Sequence, residues 1–178
     1  MKALLPYRWQ QAIALWKLKR YQALSSRSEP LVLIILPEEF QSSKFRQALR
    51  APAEHAGRRV HWVIMGAAQS DVVQLDHTLV NEVTWYGLPA DKYVQMLREK
   101  RPEIVIDLHS DFSLPSAFLV AATGAPWRIG FYSEEAEPFF NVLIQAHQSA
   151  EKRIDLLWQI VGKILPDFYP NTPISLNH

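Results

Sequence analysis

The chain has 178 residues, 48% apolar and 21% charged, which suits one globular domain with a full core and excludes a disordered chain. It contains no cysteine, so a disulfide framework, a thiol nucleophile and a thiolate zinc site are ruled out, and a net charge of +1 makes no global case for nucleic acid. No apolar run reaches the roughly 18–20 residues that span a bilayer, and Arg8, Gln10 and Gln11 interrupt the apolar core that a secretory signal needs.

The charge is unevenly placed. Residues 1–28 hold six cations (Lys2, Arg8, Lys17, Lys19, Arg20, Arg27) and no carboxylate, leaving 13 basic against 18 acidic residues in the remainder. Residues 7–25 have helical periodicity: Leu5, Trp9, Ala12, Ile13, Trp16 and Leu24 share a face, and Arg8, Lys17, Lys19 and Arg20 lie mostly elsewhere. Three readings of this basic amphipathic helix, placed at 1–28, stay open. It docks on the domain, it lies on an anionic membrane surface through Trp9, Trp16, Lys17, Lys19 and Arg20, or it contacts a second subunit. Pro30 and the serines before it break the pattern.

From 29 to 165 strands and helices alternate. Residues 31–36 are an unbroken apolar run, as expected of a strand covered on both faces. A helix follows over 38–50 with Phe40, Phe45, Ala48 and Leu49 inward, then a strand over 60–65 ended by Gly66. A short strand at 82–86 and a helix at 91–100 come next, then a strand at 104–108. The next helix opens near Ser113 and stops before Gly124, a residue suited to the left-handed position after a helix. Strands at 127–131 and 141–145 lead to a closing helix over 150–165 with Ile154, Leu157, Trp158, Val161 and Ile164 inward, and residues 166–178 form a tail. These elements predict a single Rossmann-like doubly wound α/β domain, with a mainly parallel sheet of five or six strands and an extra N-terminal amphipathic helix.

Ligands of such sheets sit outside the strand carboxyl ends, where strand order reverses. With the order 3-2-1-4-5 the crevice lies between 31–36 and 104–108, rimmed by Pro37, Glu38 and Glu39 and by the stretch Asp107–Asp111. Asp107, His109 and Asp111 alternate, so an extended chain points all three one way. His109 beside carboxylates can serve as a general base or hold a metal. In the plainer reading Asp107 binds backbone amides, His109 is partly exposed and Asp111 helps to start the helix. No second histidine lies near enough to complete a metal site, and none is expected. Glu38 or Glu39 can act as a catalytic base, or both are simply favoured in a first helical turn by the helix dipole. The turn has no glycine and two acids, which excludes a G-x-G-x-x-G dinucleotide site there, and neither a phosphate-binding P-loop nor a G-x-S-x-G elbow occurs. Arg128 with the Gly130-Phe131-Tyr132 turn can contact an anionic or sugar ligand. Alternatively Gly130 permits a close backbone approach and Arg128 is a solvated strand residue. Trp62, Trp85 and Trp127 are expected in the core.

Four segments carry a resemblance: Val60-His-Trp-Val-Ile64, Val80-Asn-Glu-Val-Thr-Trp-Tyr86, Ile104-Val-Ile-Asp-Leu-His-Ser110 and Thr123-Gly-Ala-Pro-Trp-Arg-Ile-Gly-Phe131. Their order resembles the N-terminal domain of the heptosyltransferase-like glycosyltransferases of bacterial envelope synthesis (family 9, GT-B group), whose pattern is a "DL-x-G" strand end followed by "GA…RIGF". Over nearly its whole length the chain also resembles a family of small bacterial proteins of unknown function. These share the basic N-terminal helix, a turn like Trp85-Tyr86-Gly87 and a segment like Phe131-Tyr-Ser-Glu-Glu135 with Phe139-Phe140-Asn-Val-Leu-Ile144. In the transferases the first turn is glycine-rich and ends in an Asp thought to be the base; here it is Leu36-Pro37-Glu38-Glu39, and no counterpart of the donor-binding domain is expected. The resemblance implies a stand-alone, non-catalytic relative of the acceptor-binding half, binding a protein partner, a second copy or an envelope-related ligand. A transferase half completed by another chain or by a homodimer, and a purely structural interaction module, are its alternatives. It further implies a cytoplasmic protein, at the inner membrane face if residues 1–28 touch lipid; the strand-end crevice and the Arg128 turn separately offer Asp107, His109, Ser110, Asp111 and Arg128 as expected ligand contacts. No cofactor and no nucleic acid partner are expected.

Overall fold

The apolar run after Pro30 becomes the central strand of a six-stranded, all-parallel sheet. The structure is a computed structural model describing residues 5–21, 28–37, 50, 53–54, 56–66, 76–145, 156–157 and 159–163. Its strands are β1 (Glu29–Leu36), β2 (Arg59–Met65), β3 (His77–Val80), β4 (Pro102–Asp107), β5 (Trp127–Phe131) and β6 (Val142–Ile144), in the order β3-β2-β1-β4-β5-β6. Three helices have described bounds: α1 (Tyr7–Leu18), α2 (Asp91–Glu99) and α3 (Leu114–Ala122).

Burial of β1 on both faces follows from this order. Leu31, Leu33 and Ile35 join the layer of α1, α2 and α3 through Val94, Leu97, Phe118 and Leu119. Val32, Ile34 and Leu36 join Trp62, Ile104, Ile106, Leu157 and Val161 on the opposite face. The fold is therefore the Rossmann-like doubly wound α/β arrangement, with the expected reversal of strand order between β1 and β4. The predicted helix over 38–50 falls outside the described residues except Arg50. Of the closing helix only 156–157 and 159–163 are described; they are helical, with Leu157 and Val161 buried.

The third strand lies earlier than expected, at His77–Val80, in register with Trp62–Met65 of β2. Residues 82–88 instead form a tight loop. The Thr84 amide donates to Leu88 O at 2.8 Å, Gly87 takes φ +84°, and Val83 makes only an isolated antiparallel bridge to Pro89. Trp85 consequently sits on that loop, 59% exposed, while Trp62 is buried as expected.

The N-terminal helix docks on the domain, but through a different face from the one its apolar spacing suggests. Trp9 and Trp16 are 65% and 54% exposed, whereas Ala14 and Lys17 are buried. Lys17 Nζ bonds Asp91 at the start of α2 and donates to the Tyr86 hydroxyl at 3.1 Å. Its ammonium lies 5.4 Å from the Tyr86 ring and 6.0 Å from that of Phe118. Burial works to lower the Lys17 pKa, but the bonds to Asp91 and Tyr86 outweigh it, so the pKa is raised and the charge is kept. A long stem with a satisfied charge can thus fill an inward position that a periodicity count assigns to solvent. Lys17, grouped with the outward cations by sequence, belongs to the docking face.

Candidate binding site at the carboxyl edge of the sheet

β1 and β4 end side by side, with Ile35 opposite Asp107 and the Leu108 amide donating to Ile35 O at 3.2 Å. Pro37 is buried there. Glu38 and Glu39 lie outside the described residues, so the described wall of the crevice is the loop from Asp107 to Ser113.

That loop does not present Asp107, His109 and Asp111 as one row, because the extended strand ends at Asp107. Asp107 is buried and turned toward α3, where its Oδ2 accepts from Ser116 Oγ. Its Oδ1 accepts the His109 amide at 3.1 Å and pairs with His109 Nδ1 at 2.6 Å. With Asp107 ionised, the last bond places a proton on Nδ1. Ser110 and Asp111 are exposed, and His109 is half-buried above the carboxylate. Helix α3 starts with Ser113 at its N-cap, without a side-chain capping bond, so Asp111 does not begin the helix. One carboxylate therefore ties together the strand end, its loop and the first turn of the next helix.

Among the described residues, the space beside this cluster is lined on the β5 side. A small cavity of about 20 Å³ lies between Asp107, His109, Phe112, Phe131, Ser133 and Phe140, room for one water molecule and no more. Ser133 Oγ is buried with no hydrogen-bond partner among the described residues, and Ser133 lines this cavity. Phe112 and Phe139 pack at 5.9 Å between ring centroids across the same region. Tyr132, next to Ser133, is half exposed at the rim.

Arg128 is half-buried and does not line this cavity. Its Nε donates to Phe139 O at 3.1 Å and its Nη1 to Ala125 O at 3.0 Å, holding the 134–140 loop against β5. Burial pushes its pKa down. The Arg128 amide donates to Asn141 Oδ1 at 2.8 Å, and Asn141 Nδ2 donates to Pro126 O at 2.7 Å. Arg128 thus braces the loop against β5.

Sequence reasoning did not find Ser116, Ser133 or Phe140. Ser116 had one signal: it is the only polar side chain within the apolar Leu114–Ala122 helix. A second polar cluster, around His61, also lies outside the sequence-based site. His61 is buried on β2, its Nδ1 2.8 Å from Asp76 Oδ1 and its Nε2 2.8 Å from Thr78 Oγ1. Burial, and then the charge of Lys100, push its pKa down against the opposing pull of Asp76. A larger open groove of about 400 Å³, between Tyr21, Gln95, Arg98, Glu99 and Arg101, lies at the amino edge of the sheet, remote from the strand carboxyl ends where ligands of this fold bind. Among the described residues no three His, Asp or Glu side chains form a group able to hold a metal. Comparison with known families and with curated proteins gave no match to the chain.

Proposed function

We propose that this chain is a binding module without catalysis of its own, a counterpart of the acceptor-binding half of a GT-B glycosyltransferase. It takes a partner or an envelope-related ligand at the carboxyl edge of the sheet. The observation that carries this reading is the state of Asp107. Its carboxylate is committed to Ser116 and to both nitrogens of His109 that face it, beside a cavity of about 20 Å³. Such a carboxylate rigidifies a loop and presents Ser110 and Asp111 as a fixed rim beside Tyr132, and it is poorly placed to react.

A second reading has one specific support. A carboxylate holding the Nδ1 proton is also how a histidine base is oriented, so the Asp107–His109 pair favours His109 as the base of a transferase half completed by another chain. One experiment addresses both. Thermal unfolding is followed with nucleotides, nucleotide-sugars and envelope glycolipids, in wild type, Asp111→Ala and Glu38→Ala/Glu39→Ala. A ligand present at a hundred times its Kd raises Tm by about 5–10 °C. Such a shift, lost in Asp111→Ala, supports the binding module. Sugar transfer abolished by His109→Ala would instead establish the second reading, and the absence of any shift argues against both.

A further inference from the structure

We infer that the outward face of α1 seats the protein on an anionic lipid bilayer. On that face Arg8, Trp9, Ala12 and Trp16 are exposed, with Lys19 and Arg20, also exposed, just beyond the helix end. Trp9 and Trp16 are seven residues apart, two helical turns, and so lie in one line. The Arg20 guanidinium lies 3.9 Å from the centre of the Trp16 ring, with a cation beside the exposed indole. Docking of the inner face through Ala14, Lys17 and Tyr21 leaves the helix no freedom to roll its tryptophans inward.

Tryptophan with Lys and Arg, and no acid, is the composition of a helix lying in the headgroup region. The indoles sit at the hydrocarbon boundary and the cations meet lipid phosphates. Residues 1–28 contain six cations and no carboxylate, and Asp91 engages only Lys17 of these among the described residues. The rest of the chain carries 13 basic against 18 acidic residues, so an anionic surface repels it and turns α1 toward the lipid. The twelve residues of α1 span about 18 Å, a length that lies along the surface. No described helix is long and apolar enough to cross a membrane. A second copy of the chain fits this face less well, since a two-fold contact would set Arg8, Lys19 and Arg20 against their own equivalents.

The test uses the full chain with vesicles of phosphatidylcholine alone and with roughly 30% phosphatidylglycerol added. Wild type cosediments with the anionic vesicles only, and binding falls as salt is raised. Brominated lipid quenches its tryptophan fluorescence. Trp9→Ala/Trp16→Ala and Lys19→Glu/Arg20→Glu each weaken partitioning by roughly tenfold or more. Both sets are exposed, so far-UV circular dichroism stays unchanged. Failure of wild type to bind the anionic vesicles, or equal binding by both variants, overturns the inference. So does a stable solution dimer that both variants abolish. Ligand stabilisation at the carboxyl edge is unaffected by these variants, so the two proposals stand or fall separately.

Discussion

Gly130 lies on β5 where Phe140 packs across the strand. A Cβ built at Gly130 would lie 2.6 Å from the Phe140 ring, and that ring is itself buried, so neither side can give way cheaply. Gly130→Ala is expected to cost about 1–3 kcal/mol, read as a lower denaturation midpoint with an unchanged slope. The sequence reading offered a close backbone approach at Gly130 as one alternative; what approaches is the Phe140 ring. The role of Arg128 was not legible, because its partners are carbonyls of Ala125 and Phe139, and every residue carries a carbonyl. His61 makes a different prediction. In its neutral form Nδ1–H donates to Asp76 and Nε2 accepts from the Thr78 hydroxyl, and burial keeps it neutral. Its folded pKa lies below the unfolded value of about 6.5, so the unfolded chain takes up the proton first as pH falls. The stability it contributes is present above that value and is lost on acidification below it. Chemical denaturation from pH 7 to 5 should show wild type weakening more steeply than His61→Gln, by at most about 1.4 kcal/mol per pH unit.

Elements are joined here by polar anchors at their ends. Asp91 opens α2, where a carboxylate suits the helix dipole, and it also receives Lys17 from α1. Asp91→Ala should loosen α1 from the domain and cost about 1–2 kcal/mol, less than a fully buried pair because Asp91 itself is largely exposed. Faster amide exchange confined to α1 is the readout. At the other end of α2, Arg101 holds φ +47°, the left-handed conformation that favours glycine after a helix. Arg101→Gly is expected to raise stability by about 0.5–1 kcal/mol, since little is lost with the exposed 3.5 Å pair to Glu29. The end of α3 was close to its sequence expectation because Gly124 takes the left-handed φ +74° that follows a helix. The third strand was misplaced because Val83, Trp85 and Tyr86 have the side chains of a strand. In the structure 77–80 takes the place beside β2, and residues 83–89 close on themselves through the Thr84–Leu88 bond and the Val83–Pro89 bridge.

Across the whole molecule, protection should follow position in the sheet. β1 and β4 have a partner on each side and apolar cover on both faces, whereas β6 is three residues long with one neighbour. Amide exchange is therefore expected to be slowest in the central residues of β1 and β4 and fastest among the strands in β6. The uneven charge is a property of the same scale: six cations and no carboxylate in residues 1–28 stand against 13 basic and 18 acidic residues in the remainder.

By itself the sequence determined the architecture, because apolar runs of strand length alternating with helical periods bury their faces as a parallel sheet covered by helices, and five or six strands are too few for a closed barrel. It also located the carboxyl edge after β4, since Asp107-Leu-His-Ser-Asp111 is a polar stretch following a buried strand. Which way those side chains turn was decided by tertiary structure alone. Asp107 turns toward Ser116 because a buried carboxylate must find donors, and the nearest came from α3 and its own loop. The face of α1 was decided in the same way: Asp91 and Tyr86, far away in sequence, make a home for Lys17 and leave two tryptophans outside.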